Sequence, residues 1–188
     1  MPRAGEHHLE TFIRRTFGSR MGAILLAGYG GEGGCRETVG VTGVSESGEE
    51  TEWLIEILGD LPRGDEPLVL AALLKLLLVG GLLDEALDFT LEEVLAELGW
   101  PDGRFAQDAV DDAVSKYSRL TYAKADKRGA IRGMYALVIG YENITERESE
   151  GNKRRRILNR VQFHPRFVDG LRNLKIVFAG IEFGDLSP

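Results

Sequence analysis

A single cysteine, Cys35, stands among the 188 residues. That excludes an intramolecular disulfide framework and any Cys-rich zinc site. Histidine is nearly as scarce: His7 and His8 lie near the N-terminus, His164 is far from both, and no ligand spacing relates them. No metal and no cofactor are expected. The opening stretch MPRAGEHHLETFIRR is too polar and too charged for a secretory signal. The longest apolar run, LVLAALLKLLLVGGLL over 68–83, contains Lys75 and ends in Gly80-Gly81. It is short for a membrane span and reads as a buried helix. A cytoplasmic protein with no membrane partner is expected.

Glycine is plentiful, with 24 residues. In ILLAGYGGEG (24–33), Gly28, Gly30 and Gly33 have the spacing of a dinucleotide-binding turn. Such a turn works only if a helix opens at the glycines and offers its N–H groups to the pyrophosphate. The following GCRETVGVTGVSESG has more glycines, β-branched residues and no helical stripe, so it reads as loop with a short strand. Asp84, Glu85, Asp88, Glu92 and Glu93 form an acidic cluster, but carboxylates on a helix surface need a cleft before they can work as acid and base. No serine or cysteine sits in a nucleophile signature. The chain is not expected to be an enzyme.

Charge is unevenly distributed. The net value is −7, yet residues 1–43 balance at +1, 44–102 at −13 and 103–188 at +5. Lys153-Arg154-Arg155-Arg156 is the sharpest basic cluster. Segregation of this kind fits one anionic partner on one face. It also fits an acidic half and a basic half that neutralise each other.

The hydrophobic period gives the architecture. Residues 1–50 read as a Gly-rich, partly irregular N-terminal extension, and 51–188 as one domain. Alternation from Trp53 to Leu58 predicts a strand. LPRGD (61–65) predicts a turn whose Asp65 caps a helix over 66–79, with Glu66 and Pro67 in its first turn. Asp88-Phe89 predicts a short strand. Thr90 and Glu93 make a capping box for a helix carrying Leu91, Val94, Leu95 and Leu98, which Gly99 ends. Asp102 is placed to cap a third helix with an apolar stripe of Phe105, Ala109, Ala113 and Tyr117, flanked by Val110 and Val114. Residues 134–141 are β-rich, 142–156 read as a charged hairpin loop and Ile157–Phe163 as the return strand. A helical turn follows over 165–171 and a strand over 174–183. Two helices joined by a short turn and followed by a hairpin define an α+β fold of winged helix-turn-helix type.

In that geometry the second helix of the motif enters the major groove and the hairpin touches the backbone. The outward face of the third helix would carry Arg104, Gln107, Asp108, Asp111, Ser115, Ser118 and Arg119 at about 100° per residue. Arg104, Gln107 and Arg119 suit guanine, adenine and phosphate, with Ser115 between them. Asp108 and Asp111 suit only cytosine N4, while Asp112 stands at ion-pair spacing from Lys116. Lys124, Lys127, Arg128 and Arg132 cluster in the turn after this helix. Lys153, Arg154, Arg155 and Arg156 enter the return strand, with Arg160 further along it. These cations suit phosphates of any sequence.

The stretches LPRGDEPLVLAALLKLLL, FTLEEVLAELGWPDGR and AVDDAVSKYSRLTYAK, followed by VQFHPRFVDGLRNLK, together resemble the first winged helix domain of plasmid replication initiator proteins of the replication initiator protein A type. The resemblance covers about 60–184. It implies double-stranded DNA binding at origin repeats to start replication, with 104–119 as recognition helix and 142–156 as wing. It also implies homodimers and host replication proteins as partners. The family's second winged helix domain has no counterpart here, and residues 1–50 match nothing in the family. A dimerisation module or truncated initiator acting through protein contacts, and a winged helix transcriptional repressor, are the alternative readings.

Overall fold

The computed structural model describes residues 4–30, 36–44, 50–80, 85–103, 106–126, 128–146, 156–172, 176–178 and 181–183. Two antiparallel sheets flank a set of helices. Helix α1 (Ala4–Leu25) leads into strands β1 (Arg36–Val44) and β2 (Glu50–Leu58). Helix α2 (Glu66–Val79), strand β3 (Ala86–Thr90), helix α3 (Leu91–Leu98) and helix α4 (Ala106–Arg119) follow. Strands β4 (Thr121–Ala125), β5 (Ile131–Tyr135), β6 (Val138–Glu146) and β7 (Arg156–Phe163) come next. Helix α5 (Pro165–Arg172) and strands β8 (Ile176–Phe178) and β9 (Ile181–Phe183) complete the order. One sheet runs β5-β4-β2-β1-β9-β8 and the other β3-β7-β6.

The fold is α+β, as the period changes predict. Its core gathers Leu9, Ile13, Ile24 and Leu25 of α1, Ile55 and Ile57 of β2, most of α2, and Val110, Val114 and Tyr117 of α4. Where an irregular extension was expected, residues 4–44 therefore hold a helix and a strand that share this core. Helix α1 buries an i, i+4 pair, Leu9 and Ile13, then Ile24 and Leu25 near its end; the polar stretch between them dilutes the helical stripe in the sequence. Strand β1 contains Gly40 and Gly43 and is held in place by its nine-residue ladder to β2.

The turn at Gly28 to Gly30 is a docked link. Gly28 and Gly30 have φ of 85° and 71°, a region that costs other residues energy. Gly30 N–H donates to the Gly64 carbonyl at 3.0 Å, and a Cβ on Gly28 would stand 2.0 Å from the Pro62 carbonyl oxygen. The next described element is strand β1, and Gly33 lies outside the described residues.

The cap expected at Asp65 is not made. Asp65 takes a helical conformation and its side chain makes no cap bond; instead the Glu66 carboxylate accepts from Arg63 N–H at 2.7 Å. The capping box of α3 forms: Thr90 N–H donates to Glu93 at 2.7 Å and Glu93 N–H to Thr90 Oγ1 at 3.4 Å. Gly99, at φ 64°, ends that helix. Helix α4 begins at Ala106, so Asp102 is not its cap. Its buried face is Val110, Ala113, Val114 and Tyr117, while Ala109 is exposed. The face is displaced toward Val110 and Val114.

Two strands intervene between α4 and the hairpin. The β-rich stretch 134–141 divides at Ala136-Leu137: β5 joins the large sheet and β6 the small one. Hairpin strands β6 and β7 pair from Val138↔Phe163 to Glu146↔Arg156, so 142–146 and 156 of the expected loop 142–156 are strand, and 147–155 lie between them in sequence. Strand β3 pairs with β7 along its whole length.

Candidate nucleic-acid interface

Helix α4 is tied to three other elements by polar contacts. Lys116 Nζ donates to both Glu66 oxygens at 2.7 Å, bridging to α2. Glu66 takes the cation that Asp112 was expected to hold; Asp112 stays exposed. The buried Tyr117 hydroxyl donates to the Leu25 carbonyl at the end of α1, at 3.3 Å; burial, followed by the charge fields of Tyr122 and Glu66, pushes its pKa well up. Asp111 Oδ1 accepts from Gln107 Nε2 at 2.5 Å and from the Tyr141 hydroxyl of β6.

These contacts redistribute the candidate residues. Gln107 is half-buried and occupied by Asp111, so it is not the open adenine reader of the outward-face expectation. Ser115 Oγ accepts from the Arg119 guanidinium at 2.7 Å, which places Arg119 as an exposed cation at the C-terminal end of α4. The exposed residues of α4 are Asp108, Ala109, Asp112, Ser118 and Arg119, a surface with two carboxylates and one guanidinium. Arg104 lies outside the described residues, as do Lys127, Lys153, Arg154 and Arg155. Arg156 opens β7.

Lys124 sits half-buried on β4, in register with Ile55 of β2 and Gly133 of β5. Arg128 is exposed in the β4–β5 turn. Asp126 organises that turn: its Oδ1 accepts from the backbone N–H of Arg128 at 2.9 Å and of Ala130 at 3.0 Å, and its Oδ2 accepts from Arg132 at 2.7 Å. The Arg132 bond and then the Ala130 N–H hold the Asp126 carboxyl below its usual range.

Arg160 is placed differently from the other candidates. Asn159, Val161 and Phe163 of β7 are buried toward the helices, and Val161 is in register with Tyr141, which meets α4. By strand alternation Arg160 points to the opposite face of the small sheet. There it forms a two-bond ion pair with Asp88 at 2.6 and 2.8 Å and approaches Glu142 at 3.7 Å. Hydrogen bonding to Arg160 holds the Asp88 carboxyl below its usual value. Glu85, Asp88, Glu142, Arg160 and Gln162 line a cavity of about 660 Å³ on this face. The structure thus brings Gln107, Ser115 and Arg119 together on α4, continues to Lys124 and Arg128 along β4 and its turn, and separates Arg160 from them.

The contacts Asp111–Tyr141 and Lys116–Glu66 had no signal in the sequence, since their partners are 30 and 50 residues apart. No helix among the described residues is long and apolar enough to cross a membrane.

The fold has solved neighbours. The α+β arrangement is similar to a crystal structure of RctB domains 2–3, with a TM-score of 0.54 and 17% identity over 80% of this chain and 58% of that one. A second RctB structure, of selenomethionine-labelled domains 2 and 3, gives 0.51 and 16% over 75% and 54%. At such identity the likeness is one of fold. The chain spans little more than half the length of either RctB chain. No family model and no curated protein matches the sequence.

Proposed function

We propose that this chain is a winged helix DNA-binding domain of a replication initiator, a binding protein rather than an enzyme, which acts on origin repeats in double-stranded DNA. The observation that carries the reading is the order α2-β3-α3-α4, followed after β4 and β5 by the hairpin β6–β7, with the small sheet arranged β3-β7-β6. This order supports reading the unit as a helix-turn-helix closed by a hairpin, with α4 as the recognition helix and β6–β7 as the wing. The RctB domains share this fold. Arg119 and Arg128 are exposed described cations on α4 and in the β4–β5 turn, and Lys153, Arg154 and Arg155 fall between β6 and β7 in the sequence. The family resemblance extends the reading to plasmid origins, homodimers and host replication proteins.

The test is selection from a pool of random-sequence duplexes, followed by titration of the enriched duplex at several salt concentrations. Enrichment of one sequence is expected, with affinity falling by about 0.9 log units per log unit of salt for each phosphate contacted. Absence of binding at low salt would overturn the reading. A protein-contact module is the second reading. It is favoured by the exposed Asp108 and Asp112 on α4 and by Ile131 and Met134, 50% and 57% exposed on the edge strand β5. A tight dimer in sedimentation, indifferent to DNA, would favour it. Enrichment of a promoter rather than an origin would favour a repressor.

A further inference from the structure

Asp111 was expected to face bases, yet its carboxylate is already engaged. Gln107, one helical turn earlier, and Tyr141 of β6 both donate to the same oxygen. Two donors on one oxygen leave it little capacity for a cytosine amino group. The remaining ties of α4 run elsewhere, Lys116 to α2 and Tyr117 to α1. The Tyr141–Asp111 bond joins α4 to the β6–β7 hairpin, where α4 also packs on β6. A phenol has few rotatable bonds, and a bond to a carboxylate is directional and stronger than a neutral one, so the pair defines an angle as well as a distance. Burial, and then the bond to Asp111, push the Tyr141 pKa up, and the hydroxyl remains a donor throughout the neutral range.

We propose that Tyr141, acting through Asp111, is a positioning residue that fixes α4 against the β6–β7 hairpin and so couples base reading by the helix to phosphate contact by the wing. The inference rests on the DNA-binding reading above. Gln107 belongs to the same unit: it holds the Asp111 carboxylate from the helix side.

The test compares wild type with Tyr141→Phe on two probes, the duplex enriched from the random pool and the unenriched pool itself, over a range of KCl concentrations. Tyr141→Phe is expected to lose about tenfold of the preference for the enriched duplex, equivalent to about 1.4 kcal/mol. Its affinity for the pool and its salt slope should match wild type, because the slope counts neutralised phosphates rather than helix orientation. Asp111→Asn, which keeps an oxygen acceptor, should retain most of the preference, and Asp111→Leu should lose it. Circular dichroism checks folding; if Tyr141→Phe does not fold, the Asn and Leu variants at Asp111 carry the comparison. Undiminished preference in both Tyr141→Phe and Asp111→Leu would overturn the positioning role while leaving the DNA reading intact. A parallel fall on both probes would also overturn it, as the mark of a purely structural contact. A wild type that enriches no sequence removes the DNA reading and the positioning role together.

Discussion

Asn159 is fully buried in the central strand of the small sheet, and among the described residues neither its amide nitrogen nor its amide oxygen has a hydrogen-bond partner. Its neighbours in register are Phe89 on β3 and Asn143 on β6. An unpaired amide in such a place costs about 1–3 kcal/mol by the mutational scale. Asn159→Val removes both polar atoms, is of similar size and suits a strand. Stabilisation by about 1–3 kcal/mol is expected. For a chain of this length each kcal/mol moves Tm by about 2–4 °C, so thermal unfolding should shift upward by about 2–12 °C at that same conversion.

A companion substitution fixes the sign of the argument. Asn159→Asp would place a carboxyl where its charged form has no partner, and burial would raise its folded pKa. Relative to wild type, that variant should be most stable below about pH 4, the unfolded value, and lose stability as pH rises toward the raised folded value. Urea melts at pH 4 and pH 7 report this directly. If Asn159→Val lowers Tm with the sheet signal intact, the amide is satisfied in solution, by water or by another part of the chain, and the reasoning is refuted.

Other expectations follow from the same geometry. Gly28→Ala should cost about 2 kcal/mol or more, because it adds a clash with the Pro62 carbonyl to a left-handed backbone; Gly30→Ala meets nothing within 4 Å and should cost about 1–2 kcal/mol from its conformation alone. Denaturant midpoints separate the two. Asp88 has a lowered folded pKa, so its pairing stabilises above the unfolded value and is lost as pH falls through the folded one; Asp88→Asn should flatten the acid limb of the stability profile below about pH 4. Arg160→Ala should leave the denaturant midpoint almost unchanged, since the pair is 43% and 41% exposed and screened by solvent. It should also leave the salt slope of DNA binding unchanged, whereas Arg119→Ala should reduce that slope by about 0.9.

Local signals in the sequence were sufficient wherever a residue's partner was close along the chain. The capping box at Thr90 and Glu93, the stop at Gly99 and the buried helix over 66–79 all depend on neighbours within a few residues, and all are found. Asp65 failed because Glu66 occupied the same turn from one position further on. Helix α1 was hidden by spacing: its two buried pairs, Leu9 with Ile13 and Ile24 with Leu25, are separated by a long polar stretch. Strand β4 was hidden because it pairs with β2, some 70 residues away in sequence, and β5 because it joins β4 in that large sheet rather than the hairpin that follows. At the candidate interface the residue types were legible and their availability was not. Gln107 and Arg160 have the side chains that DNA contact requires, but Asp111 and Asp88 hold them, and nothing in the order of residues announces that.

The uneven charge of the chain also changes meaning once the ion pairs are known. An acidic 44–102 and a basic 103–188 looked like two poles of a surface. Two of the pairs run between those segments: Glu66 with Lys116, and Asp88 with Arg160. Part of the segregation in sequence is therefore cancelled in space. A cation held by a carboxylate must give up that partner before it neutralises a phosphate, and the exchange returns less than a free cation would. Lys116 and Arg160 should thus contribute little to counterion release, and Arg132, held by Asp126, should behave likewise. Among the described residues, the electrostatic case for DNA binding then rests on fewer cations than the basic count suggests, Arg119 and Arg128 foremost. Net charge is a poor guide to this chain's partner, because the fold decides which cations remain unspent.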